Sequence, residues 1–112
     1  MIEQVRPAEV QAWMDELAAA RPLLLDVREP WEVQTASVTG AGYEVLALPM
    51  ASIPARLREL DPERPVACLC HHGARSQRVA QFLDQQGFAH VANVAGGIDA
   101  WSLECDPAVP RY

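Results

Sequence analysis

An α/β fold, with a mainly parallel central sheet flanked by helices, is what these 112 residues predict. Three observations carry the prediction. Short continuous apolar runs such as Leu23-Leu24-Leu25 and Val66-Ala67-Cys68-Leu69-Cys70 suit strands buried on both faces, the habit of parallel sheets. Between such runs lie stretches whose apolar residues recur at helical spacing. Gly and Pro punctuate the change from one period to the other. Strands alternating with helices make a three-layer arrangement. The length suits one hydrophobic core, so a single domain over residues 1–112 is expected.

The elements follow in order. Residues 7–18 read as a helix: Pro7 sits near its start, Glu9 lies in its first turn, and Val10, Trp13, Met14 and Leu17 form one apolar stripe. Residues 23–27 are a buried strand ending at Asp26-Val27. Residues 29–35 make a short helix begun by Pro30. Residues 43–49 can be a strand ended by Pro49. Ile53, Leu57 and Leu60 share one face, which predicts a helix over 53–60, with Asp61-Pro62-Glu63-Arg64-Pro65 as the turn after it. A strand at 66–70, a helix from Ser76 to about Gln86 closed by Gly87, a strand over 88–94 and a helix around 98–103 complete the pattern. The tail over 106–112 reads as irregular.

Composition excludes several functions. Half of the residues are hydrophobic, which fits a globular chain rather than a disordered one. A net charge of −6 argues against nucleic acid as a partner. All nine basic residues are arginine, so Schiff-base chemistry and a P-loop lysine are ruled out. The N-terminus has the polar character of no signal peptide, and no apolar run reaches the ~20 residues of a membrane span. Three cysteines, an odd count, are therefore expected as reduced thiols in a cytoplasmic protein.

The chemistry concentrates at residues 70–76, Cys70-His71-His72-Gly73-Ala74-Arg75-Ser76. A thiol ends a strand, a short loop turns at Gly73, and a helix begins. Free N–H groups and the positive end of the helix dipole then face the sulfur, surroundings that favour a thiolate and hold an anion beside it. Side chains two apart in a strand share a face, so Cys68 should be buried as a small hydrophobe while Cys70 emerges at the strand's end. A lone cysteine is more often core than catalyst; the loop and helix after it make Cys70 the candidate nucleophile. Cys105, in the tail, has no expected role. Zinc is not expected on Cys68, Cys70, His71 and His72, because ligands packed into five consecutive residues rarely close a tetrahedron. No cofactor is expected either.

These residues resemble the active-site loop of the rhodanese (sulfurtransferase) family: a cysteine, a loop with a central glycine, an arginine, then a serine. Asp26-Val27-Arg28-Glu29 resembles that family's early strand end, and Gly96-Gly97-Ile98-Asp99-Ala100-Trp101 its late turn and helix. Three blocks in the right order span most of residues 23–103. The chain departs from the family at Ser37-Val38-Thr39-Gly40-Ala41, where rhodaneses usually carry a histidine first. The resemblance implies a rhodanese-like fold and a thiosulfate sulfurtransferase. Cys70 would attack the outer sulfur of thiosulfate, expel sulfite and pass the sulfur of the resulting persulfide to cyanide or a thiol. His71, His72, Gly73, Ala74, Arg75 and Ser76 would bind the donor, their amides around the sulfur and Arg75 on the sulfonate. Such a protein would be a monomer or weak homodimer without membrane attachment.

Tyrosine phosphatases of the cell-cycle type are the rival enzymes, since they resemble rhodaneses in fold. Their loop needs five residues between cysteine and arginine; here four intervene, a tighter nest suited to sulfur rather than phosphate. A persulfide carrier serving a protein partner, with little thiosulfate turnover, is the alternative from another class; a redox or signalling module is a third. Asp26 could accept hydrogen bonds near the nucleophile or, with Arg28, simply fix neighbouring turns; the second is favoured because buried charges are so often structural pairs. Trp101 either braces the loop, as the resemblance implies, or fills core.

Overall fold

The computed structural model describes residues 2–112. Five parallel strands form one sheet: β1 (Glu3–Val5), β2 (Leu23–Asp26), β3 (Glu44–Ala47), β4 (Val66–Leu69) and β5 (Val91–Val94). Their order across the sheet is β1-β5-β4-β2-β3, so β4 lies at the centre. Four α-helices accompany them: α1 (Pro7–Glu16), α2 (Pro30–Thr35), α3 (Ala74–Gln85) and α4 (Gly97–Glu104).

Residue parity decides which layer each side chain joins. Leu23, Leu25, Val66 and Cys68 face the layer holding Val79, Ala80 and Leu83 of α3. Leu24, Ala67, Leu69, Ala92 and Val94 face the other, with Val10, Trp13 and Met14 of α1 and Ile98 and Trp101 of α4. Both faces of the sheet are thus covered, which is why these strands read as unbroken apolar runs. Cys70, two residues past Cys68, keeps its parity and joins the α3 layer.

One expectation needs correcting, and one strand lies outside the sequence reading. Residues 53–60 are not an α-helix: they form turns between two short 3₁₀ segments, Met50–Ser52 and Leu57–Glu59. Pro54 brings no N–H to a helical ladder, and Arg56, at φ −109° and ψ 14°, has left helical geometry. Ile53 and Leu60 are nonetheless buried, so the apolar stripe does its packing without the helix. Strand β1 went unread, because only Val5 of its three residues is buried and it sits at the sheet edge. The tail over 106–112 is irregular, as expected, yet packed: Val109 is buried and its carbonyl accepts the Ser102 hydroxyl at 2.6 Å.

Candidate active site

The site lies at the carboxyl end of β4, where ligands of open parallel sheets gather. Strand β4 stops at Leu69, and the chain must return as α3 on the face toward which Cys70 points. Gly73 makes the reversal at φ +103°, a left-handed conformation that favours glycine. As the residue before α3 it has no side chain to cap the helix. The sulfur of Cys70 takes that place. It accepts the Gly73 N–H at 3.1 Å and the Ser76 N–H at 3.3 Å, the latter an otherwise orphaned donor of the first helical turn. The Ser76 oxygen lies 3.2 Å from the same sulfur. Among the described residues, these are the backbone amides of the loop that reach it.

Cys70 does not emerge, as its place at the strand end suggested: it is 1% exposed, enclosed by the loop it begins. Cys68 is fully buried, as its spacing predicts, and burial together with the neighbouring Cys70 pushes its thiol well up. Cys105 is exposed.

Helix α4 holds the loop from the side. Its first amides, Ile98 and Asp99, donate to the carbonyls of Cys70 (2.9 Å) and His71 (3.1 Å). Gly97 is what lets them approach: at φ +63°, a Cβ there would fall 2.5 Å from the Cys70 carbonyl oxygen and 2.4 Å from that of His71. The Gly96-Gly97 pair, read from sequence only as a turn, is a seat for the loop that carries Cys70. Trp101 lies in the opposite core layer with Val5, Trp13 and Ile98.

Arg75 extends from α3 to Glu32 of α2, its terminal nitrogens 2.8 and 3.0 Å from the two carboxylate oxygens. Glu32 is buried, and burial opposes its ionisation; the Arg75 guanidinium, the Glu29 amide and the charge of Arg28 outweigh that and hold its carboxyl below the usual range. Asp26 has the structural role. It pairs with the fully buried Arg28 through 2.9 and 2.7 Å bonds, while Arg28 also donates to the carbonyls of Glu32 and Ala36 and to the Tyr112 hydroxyl. All five guanidinium donors are used.

The tail closes over the loop. The Tyr112 ring stacks on His71 at 3.9 Å with 6° between planes, and it forms a T-shaped pair with the exposed Trp31. His71 in turn stacks on His72. Burial and the adjacent His72 ring lower the His71 pKa, against weaker help from the Tyr112 backbone, Glu32 and Asp99. Ala74 opens α3 and is exposed.

His71, His72 and Asp99 bring potential metal-ligand atoms within 4.8 Å of one another. Their geometry does not suit an ion. The two imidazoles lie nearly parallel, 25° apart, so their in-plane lone pairs run side by side rather than converge. Asp99 is meanwhile engaged by Arg111 at 2.9 Å.

A family model described as the rhodanese-like domain matches residues 6–104. The chain belongs to the rhodanese-like family. This rhodanese-like chain is 40% identical over 87 residues to a sulfurtransferase of Allochromatium vinosum, with 78% of each chain covered. It is 43% identical over 91 residues to the chloroplastic rhodanese-like/PpiC domain-containing protein 12 of Arabidopsis thaliana; that match covers 80% of this chain but 30% of the relative's length. Among solved structures, a rhodanese-related protein from Thermoplasma volcanium superposes with a TM-score of 0.74 at 29% identity, over 98% of this chain and 99% of that one. The rhodanese-like relatives support sulfur transfer as the class of activity. Among the described residues, no helix is long and apolar enough to cross a membrane.

Three residues of the site escaped the sequence reading. Glu32 was signalled by Glu29-Pro30-Trp31-Glu32, an acid at the third position of a helix opening with proline. Asn93 was signalled as a polar residue inside an apolar strand. Tyr112 gave no signal at all.

Proposed function

We propose that the protein moves sulfane sulfur from thiosulfate, or a related anionic donor, through a persulfide on Cys70 to cyanide or a thiol. The observation that carries this is the convergence of the Gly73 and Ser76 amides on one reduced sulfur at the mouth of α3. Cys70 thiolate attacks the outer sulfur of thiosulfate; the S–S bond breaks and its electron pair leaves with sulfite. The acceptor then attacks the outer sulfur of the persulfide and the thiolate returns, a two-step covalent cycle. His71, His72, Gly73, Ala74, Arg75 and Ser76 form the donor's cradle, and Arg75, whose two terminal nitrogens face Glu32, meets the sulfonate with its remaining surface.

Binding rather than thiol activation supplies most of the rate. For a generic thiol, a pKa drop from ~8.5 to ~6.5 raises the thiolate fraction at pH 7 about 25-fold. A Brønsted slope of ~0.4–0.5 makes each thiolate roughly six- to tenfold less nucleophilic, leaving a gain of only several-fold. Orientation of the donor and stabilisation of the departing sulfite carry the remainder. A cytoplasmic setting, which keeps Cys70 reduced, suits this chemistry.

The same loop would serve a carrier that accepts sulfur once and yields it to a protein. The enclosure of Cys70, and the stacking of Tyr112 on His71 next to it in the chain, favour that second reading where turnover is slow. Steady-state assay with thiosulfate and cyanide separates the two. Sustained turnover of many sulfurs per Cys70 supports the enzyme; a single equivalent taken up and then held supports the carrier.

A further inference from the structure

We infer that Asn93 on β5 is a positioning residue that draws the Ser76 hydroxyl proton away from Cys70 and so governs how readily the sulfur ionises. Ser76 is fully buried and has one hydroxyl proton for two acceptors, the Cys70 sulfur at 3.2 Å and the Asn93 Oδ1 at 2.5 Å. The neighbours fix which way the Asn93 amide points. Its Nδ2 donates to the Gly73 carbonyl at 3.3 Å, a group that can only accept, and to the Gln4 Oε1 at 3.0 Å. Gln4 is itself oriented by Nε2, which donates to the Ile2 carbonyl at 3.3 Å and to Gln77 at 2.7 Å. Oδ1 of Asn93 is therefore left facing Ser76, and the hydroxyl donates to it.

A consequence follows for the sulfur. With its proton turned to Asn93, the Ser76 oxygen presents a lone pair toward Cys70. That suits a thiol, whose S–H donates to the oxygen, and opposes a thiolate, which needs the hydroxyl turned round. Asn93 and the sulfur compete for one proton, and Asn93 holds the shorter contact. Cys68 on β4 and Arg75 on α3 are the titratable groups whose charge couples to Cys70; on the neighbouring elements stand Glu32 of α2 against Arg75, His71 and His72 in the loop, Asp99 of α4, and the Asp26–Arg28 pair at the end of β2. Strand β5 contributes only the uncharged Asn93.

The pH profile of Cys70 alkylation in the full chain tests this. It rests on Cys70 being the reactive thiol, but reads that thiol whether or not it ever carries sulfane sulfur; absent persulfide formation would sink the proposed function and leave this result standing. Asn93→Leu removes the competing acceptor, so its alkylation midpoint should fall by about half a unit or more, a roughly threefold gain in thiolate below the midpoint. The fall should vanish when Ser76→Ala is combined with it. A merely structural Asn93 would loosen Gly73 and move the midpoint up, in both backgrounds. An unchanged or raised midpoint, or an equal shift without Ser76, overturns the inference. Ser76→Ala alone decides should Asn93→Leu fail to fold: a lowered midpoint supports the inference, and an unchanged or raised one overturns it.

Discussion

Arg75 and Glu32 meet end to end, two nitrogens on two carboxylate oxygens, across the gap between α3 and α2. The pair ties the loop that carries Cys70 to the segment that follows β2, and the proposed function gives Arg75 a second duty, on the donor. Arg75→Ala should raise the thiosulfate KM by roughly ten- to a hundredfold, the worth of one or two charged hydrogen bonds. It should also cost about 1–3 kcal/mol by leaving the Glu32 carboxylate buried and unpaired. Glu32→Gln separates the duties: stability falls, while the KM stays within about threefold because the guanidinium remains. Equal KM increases in both variants would show that Arg75 acts only through the fold.

Gly97 is where the loop is most easily broken. Gly97→Ala places a methyl against two backbone oxygens at a left-handed φ, and neither oxygen belongs to a flexible side chain. Urea unfolding should show a loss of about 2–4 kcal/mol. A loss under 1 kcal/mol would mean that α4 can withdraw from the loop without cost. At Gly87, where nothing lies within 4 Å of the added methyl, only the strain of φ +89° applies and the loss should be smaller.

Tyr112 supplies both a stacking face and a hydroxyl. Tyr112→Phe keeps the stack on His71 but removes one acceptor from the fully buried Arg28, and should cost about 1–2 kcal/mol. Tyr112→Ala removes both, should cost more, and should expose His71; faster alkylation of Cys70 in Tyr112→Ala than in Tyr112→Phe is the expected sign that the ring screens the loop. Equal rates would restrict Tyr112 to anchoring Arg28.

Acid should destabilise the site in two stages. His71 has a folded pKa below its ordinary value, so between that value and the ordinary ~6.5 the unfolded chain binds the extra proton. Its contribution is full above ~6.5 and lost as pH falls through the folded value. Glu32 behaves alike about the carboxylate range: full above ~4.3, lost as pH falls through its lower folded value. Urea midpoints measured along a pH series should therefore fall on acidification, with the upper limb flattened by His71→Asn and the lower by Glu32→Gln.

The parts legible in the sequence were those written in period and punctuation. Leu23-Leu24-Leu25 and Val66-Ala67-Cys68 announced buried parallel strands because both faces of the sheet are covered. Gly73 and Gly87 marked the ends of α3 because both need positive φ. What stayed hidden depends on long-range placement. No local pattern says that Glu32 meets Arg75, 43 positions on, or that Tyr112 folds back over His71. The stripe of Ile53, Leu57 and Leu60 suggested a helix because packing needs only their common side, and turns can supply that. Cys70 was expected to emerge because strand ends usually open to solvent; here the loop's own amides and Ser76 close over it.

Intact mass after brief exposure to thiosulfate, with excess donor removed, examines the nucleophile most directly. The chain should gain the mass of one sulfur atom, and Cys70→Ser, which retains Cys68 and Cys105, should gain none. An unmodified native chain, or an equal gain in Cys70→Ser, would contradict sulfur transfer through Cys70.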